Sequence, residues 1–202
     1  MNPVPLAQLL PFMVFAFVAS ITPGPTNLLI LGSAVSRGLL AALPLVCGAA
    51  LGAAGLVVVV GLGLGEVFLR YPALQQVMAW AGVAWISWLG WQLFRSPGQA
   101  IEGGEAARRI GAWQGAGMQL INPKTWIMAL SVVSVFVGAG ADASIYCLYA
   151  GVLLLVALPC LALWALLGVG AARVLRSALA VRRFNRWMAV LLVLSVWVGV
   201  FG

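Results

Sequence analysis

Two proline-centred breaks, Pro23-Gly24-Pro25 and Asn122-Pro123-Lys124, lie inside long apolar segments, with their prolines 100 positions apart in a chain of 202 residues. Proline lacks an amide hydrogen and clashes with the preceding helical turn, so each break leaves backbone groups without helical partners. Hydrocarbon cannot satisfy such groups; they persist at membrane depth only where protein or a wet cavity receives them. Paired interruptions at equivalent points of two halves point to a substrate site between repeats of a transporter.

The membrane assignment rests on composition. Hydrophobic residues make up 64% of the chain and charged residues 7%, against about 25% charged in soluble domains. At about 20 apolar residues per crossing, the length accommodates six helices and no separate soluble domain. The expected fold is an all-α integral membrane protein with six transmembrane helices in two inverted three-helix repeats, helices 1 and 4 being broken. It forms a single domain over 1–202, with repeat 1 at about 1–94, a hydrophilic loop at about 95–110 and repeat 2 at about 111–202. Inversion follows from parity: three crossings per half make equivalent helices run in opposite directions.

In chain order, the first segment runs from about Leu6 to Val35, too long for one straight crossing unless the break divides it. Its second half begins near Thr26 and Asn27, whose free amides and positive dipole end suit a carboxylate. The second segment, about Leu39 to Gly65, carries Gly48/Gly52 and Gly61/Gly65, read as faces for close helix packing. The third, about Leu74 to Phe94, holds Trp80, Trp88 and Trp91 on one side, read as a lipid-facing aromatic stripe. The fourth runs from about Trp113 to Val137. The fifth runs from about Ser144 to Val169, with Pro159 as a kink site. An arginine-rich connection precedes the last, from about Trp187 to Phe201. The first segment lacks a preceding basic residue, so a cleaved signal peptide is not expected.

Charge orients the six-crossing arrangement. Arg37, Arg95, Arg108, Arg109, Arg173, Arg176, Arg182, Arg183 and Arg186 fall on one side and Arg70 alone on the other. The arginine-rich side is the cytoplasmic one, and the basic residues read as topology signals, not as a nucleic-acid surface. Both termini then lie outside, unless the first segment is re-entrant and returns the N-terminus inside.

Lys124 is the one basic residue deep in an apolar segment. A lysine at mid-bilayer costs about 2.5–3.5 kcal/mol on insertion scales, so its ammonium must face protein, water or a ligand. Asn122 both donates and accepts, which suits a zwitterion, and Asn27 is its counterpart in the first half. No histidine is present, and Cys47, Cys147 and Cys160 have no ligand spacing. No metal, cofactor or catalytic residue is therefore expected, and the chain is not read as an enzyme. Glu66, Glu102, Glu105 and Asp142 all sit at segment ends or in loops, so a cationic side chain would find no buried counter-charge and a small neutral solute is favoured. An exporter of another solute or of a metal ion, and a non-transporting assembly subunit, are the alternatives. The glycine faces serve internal packing or a homo-oligomer equally well.

Thr22-Pro23-Gly24-Pro25-Thr26-Asn27, with Gly32, Ser36-Arg37-Gly38 and Gly48, resembles the first-half signature of the LysE/RhtB amino-acid exporters. Asn122-Pro123-Lys124 resembles their second-half signature. Gln119 to Lys124, Ala129-Leu130-Ser131, Phe136-Val137, Trp80-Ala81-Gly82 and Trp88-Leu89 are similar to the cysteine/O-acetylserine exporter branch. The Phe-rich run and proline that follow Asn-Pro-Lys in many threonine and lysine exporters are lacking. The resemblance implies export of small neutral amino acids or derivatives of the cysteine/O-acetylserine and homoserine/threonine type from the bacterial cytoplasm across the inner membrane, in exchange for protons. It places substrate at Pro23, Gly24, Pro25, Asn27, Asn122, Pro123 and Lys124. For proton coupling, Asp142 is the named candidate beside Glu66 and Lys124.

Overall fold

A computed structural model describes residues 6–95, 111–138, 140–175 and 177–201. Among these residues the fold is all-helical. Helix α1 (Leu6–Ile21) and α2 (Pro25–Arg37) flank the first break; α3 (Leu39–Val59) continues through a π-helical stretch, Val60–Leu64, into the short α4 (Gly65–Arg70) and then α5 (Pro72–Arg95). Helices α6 (Ala112–Ile121) and α7 (Pro123–Ser131) flank the second break. A π-helical stretch, Val132–Val137, extends α7, followed by α8 (Ala143–Val174) and α9 (Ala178–Phe201).

The prolines act as the chain pattern predicts. At Pro25 and Pro123 the ring occupies the first helical position, where the missing N–H costs nothing, and the preceding residues Gly24 and Asn122 are extended. Each pair of helices therefore bends sharply, by 54° between α1 and α2 and by 74° between α6 and α7. The stretch Leu39–Leu64 and helix α8 are each long and apolar enough to cross a membrane, and each bent pair qualifies if counted as one span. Gly38, at φ 82°, makes the reversal from α2 into α3, a backbone conformation that a β-carbon would strain.

Glycines bring the helices close. A β-carbon on Gly48 would collide with the backbone of Ala112, one on Gly52 would sit 2.7 Å from Ala116 Cα, and one on Gly115 would sit 2.7 Å from the Leu45 carbonyl. The partner expected for the Gly48/Gly52 face is thus α6. Gly168 on α8 makes the equivalent approach to Leu31 of α2. Gly61 packs on the ring of Tyr146, while Gly65 lies against Val60 of its own helical run.

Two buried clusters result. One is aromatic-rich, with Phe12, Trp126 and Tyr149, and with Phe136 packed against it at 5.4 Å from the Phe12 ring. The other is built of small and aliphatic side chains, among them Ile30, Ala34, Ala42, Leu45, Ala49, Ala50, Ala157 and Leu161. Trp80, Trp88 and Trp91 stand about half exposed.

Some boundaries differ from the sequence-based ones. Helix α9 begins at Ala178, so Arg182, Arg183 and Arg186 are exposed on its first turns and do not form a connection. Hydropathy marks where lipid begins, whereas a helix satisfies its own backbone on both sides of that boundary. Pro159 lies inside α8 without ending it. The central loop, with Glu102, Glu105, Arg108 and Arg109, lies outside the described residues, as do Arg176 and the side chains of Glu66 and Trp85.

Candidate substrate site

The first break leaves carbonyls at the end of α1 and just beyond it without helical donors, and side chains reach three of them, those of Ser20, Ile21 and Thr22. Asn27 Nδ2 donates to the Ser20 carbonyl at 2.9 Å, Trp164 Nε1 to Ile21 at 3.1 Å and the Lys124 ammonium to Thr22 at 2.6 Å. The last two donors come from α8 and α7, so the break in the first half is completed by residues of the second. A positive charge at the C-terminal end of a helix is also favoured by its dipole.

The second break is satisfied differently. The Asn122 side chain caps α7, its Oδ1 accepting from the Lys124 amide at 3.1 Å, and Trp126 Nε1 donates to the Leu120 carbonyl at 2.8 Å. The N-cap position of α2 is Gly24, which has no side chain to offer. The α7 N-terminus is therefore closed and the α2 N-terminus open.

Between the breaks runs a buried polar network. Gln119 Nε2 donates to Thr26 Oγ1 at 3.2 Å and to the Gly115 carbonyl at 3.2 Å; Asn122 Nδ2 donates to the same Thr26 oxygen at 3.1 Å; and the Thr125 hydroxyl donates to Gln119 Oε1 at 2.7 Å. Thr26, Gln119, Asn122 and Thr125 are all at most 6% exposed. Such a network is stable in an apolar surrounding only because its members satisfy one another.

The network forms one wall of a cavity of about 50 Å³, room for a few waters. Gly24, Asn27 and Lys124 complete the polar wall, while Ala49, Ala50, Ala53, Ala157 and Leu161 form the apolar one. Among the described residues Lys124 is the only ionisable side chain in the lining, and no carboxylate faces it there. Its stem packs over Gly24, where a β-carbon would sit 3.0 Å from Lys124 Cδ. Among the described residues no cluster of histidine, cysteine, aspartate or glutamate could hold a metal ion.

Of the residues expected at the site, Gly24, Asn27, Asn122 and Lys124 meet at the cavity. Pro23, Pro25 and Pro123 shape the breaks without lining it; Pro23 is exposed. Asp142 is not brought there: it is exposed at the start of α8, about 22 Å of helical rise before Ala157. Gln119, Thr125 and the Thr26 side chain were missed as site residues. Their signal was available, since Gln119, Asn122 and Thr125 are polar residues three apart in an apolar stretch, a spacing that would share one face were the helix unbroken.

Residues 17–201 match the family described as LysE type translocator. The chain belongs to the LysE-type translocator family. Among this family member's curated relatives, the cysteine/O-acetylserine efflux protein of Escherichia coli (strain K12) is 33% identical over 129 residues, and that of Salmonella typhimurium (strain LT2) is 30% identical over 129 residues. These matches cover 62% of this chain and 64% of the relatives' length, just under two thirds of those proteins. No solved structure matches this LysE-type chain.

Proposed function

We propose that this protein exports small neutral amino acids or their derivatives, of the cysteine/O-acetylserine and homoserine/threonine type, from the cytoplasm across the bacterial inner membrane in exchange for protons. The observation that carries this reading is the meeting of both helix breaks at one cavity whose lining, among the described residues, offers donors, acceptors and a single ammonium but no carboxylate. A zwitterion with an uncharged side chain matches that lining. A lysine-like side chain would have to bury its charge unpaired.

The proposed architecture has six crossings in two inverted repeats, each made of a broken helix, a long helix and a 24-residue helix. Support comes from α5 and α9, each of 24 residues and packed against one another, which span about 36 Å, enough for a hydrocarbon core of about 30 Å. Arg95 at the end of α5 stacks on Trp91, and Arg186 near the start of α9 stacks on Phe94 of α5. These basic ends gather on one side, in keeping with a cytoplasmic face. Protons exchanged for substrate would act on Lys124 at the cavity, with Asp142 as a separate outer-face group.

The test is uptake into inverted membrane vesicles of labelled cysteine, O-acetylserine, threonine, leucine and lysine, with and without an imposed proton gradient. Saturable, gradient-dependent uptake of a neutral amino acid is expected. Uptake of lysine alone, or of none of them by folded protein, would overturn the proposal. Asp142→Asn should leave KM unchanged and alter only the response to the gradient.

A further inference from the structure

The hydrogen bonds around Thr26 have a fixed polarity. The Gly115 carbonyl can only accept, so Gln119 must turn its NH2 toward that carbonyl and, with it, toward Thr26. The Lys124 amide can only donate, so Asn122 must give it Oδ1 and turn its own NH2 to Thr26. Two backbone groups of opposite kind thus orient two side-chain amides, and both donate to Thr26 Oγ1.

A hydroxyl oxygen has two lone pairs and one hydrogen. Both acceptor positions of Thr26 are taken, which leaves the hydrogen, and no acceptor for it is present among the described residues. Thr26 is 6% exposed and lines the cavity. Around it the α2 N-terminus is open: Gly24 supplies no cap, and among the described residues the amides of Thr26 and Asn27 have no hydrogen-bond partner. One residue on, Asn27 is 4% exposed and also lines the cavity; its amide is spent on the Ser20 carbonyl, and its Oδ1 receives no donor among the described residues. The wall therefore presents converging donors for an anion next to one unused acceptor.

We propose that the Thr26 hydroxyl is a specificity-determining donor to the substrate's carboxylate, held in that polarity by Gln119 and Asn122 as positioning residues. The Asn27 side-chain oxygen is the acceptor left for the substrate's ammonium. The inference rests on the exporter reading and assigns the orientation of the zwitterion within the same site.

The experiment is competition in inverted vesicles carrying the full chain, with labelled L-cysteine kept reduced, or L-threonine where only that is carried. Unlabelled amino acid and its methyl ester are the competitors. The ester keeps the ammonium and side chain but replaces the carboxylate, so the ratio of the two inhibition constants reports the carboxylate contact. The wild type should prefer the acid by about tenfold or more, the scale of hydrogen bonds to a charged group. In Thr26→Val that preference should fall to within about threefold while the ester binds as before, and Thr26→Ser should restore it. Thr26→Ala provides the same measurement should the valine variant fail to insert. A wild type that does not discriminate, or a hydroxyl-less variant that keeps the wild-type ratio, overturns the inference with the exporter reading intact. Absence of any amino-acid uptake by the wild type overturns both.

Discussion

The Lys124 ammonium donates to the Thr22 carbonyl at 2.6 Å, joining residues 102 positions apart and tying the second helix break to the end of the helix before the first. That single contact satisfies a carbonyl orphaned by Pro23-Gly24-Pro25 and gives the lysine a partner at a depth where it would otherwise be costly. On the proposed function, it also places the Lys124 charge where a substrate would compete for it.

Lys124→Met keeps most of the apolar stem and removes the ammonium. The Thr22 carbonyl loses its donor, and the cavity loses its charge. Uptake into vesicles should fall by at least about tenfold at fixed protein amount, the change expected when a charge-assisted contact goes. Wild-type uptake in the methionine variant would remove Lys124 from the mechanism.

Asn122 does two jobs that one pair of substitutions separates. Aspartate caps helices as well as asparagine but cannot donate, so Asn122→Asp should keep the melting temperature in detergent near wild type while raising KM. Asn122→Ala loses both functions and should also destabilise the protein by about 1 kcal/mol, the usual cost of a lost cap. Equal melting temperatures for the alanine and aspartate variants would contradict the capping role.

At Gly48 there is no space for a methyl group against Ala112, whereas at Gly151 nothing lies within 4 Å of the position a β-carbon would take. Gly48→Ala should cost about 1–3 kcal/mol through overpacking. Gly151→Ala should be neutral or stabilising by up to about 1 kcal/mol through helix propensity. Thermal unfolding in one detergent compares them directly, and a stable Gly48→Ala protein would argue against the tight α3 and α6 contact.

Sidedness is testable by single-cysteine labelling after Cys47, Cys147 and Cys160 are replaced. Cysteines at Arg37 and Arg183 should react with a membrane-impermeant maleimide in inverted vesicles, and cysteines at Tyr71 and Asp142 in intact spheroplasts. All four reacting from one side would rule out the six-crossing topology with its cytoplasmic arginines.

The class of the protein and the places where its helices break are properties of local sequence. Hydropathy over a window reports transfer from water to lipid, and proline acts on its own turn through a missing donor and a steric clash. Neither depends on what else the chain does, so Pro25 and Pro123 open α2 and α7 at the predicted positions. The close approach at Gly48 and Gly52 was likewise foreseeable from spacing, but its partner α6 was not, because a glycine says that something comes near without saying what. Helix α9 extends through Arg182, Arg183 and Arg186 because backbone bonding inside a helix is indifferent to where the lipid ends. Only the tertiary structure decided that Thr26 takes donors from Gln119 and Asn122 while Lys124 reaches Thr22. Those bonds join residues more than 90 positions apart. Their polarity follows from which backbone groups happen to be fixed beside them, a fact of packing that no local pattern encodes.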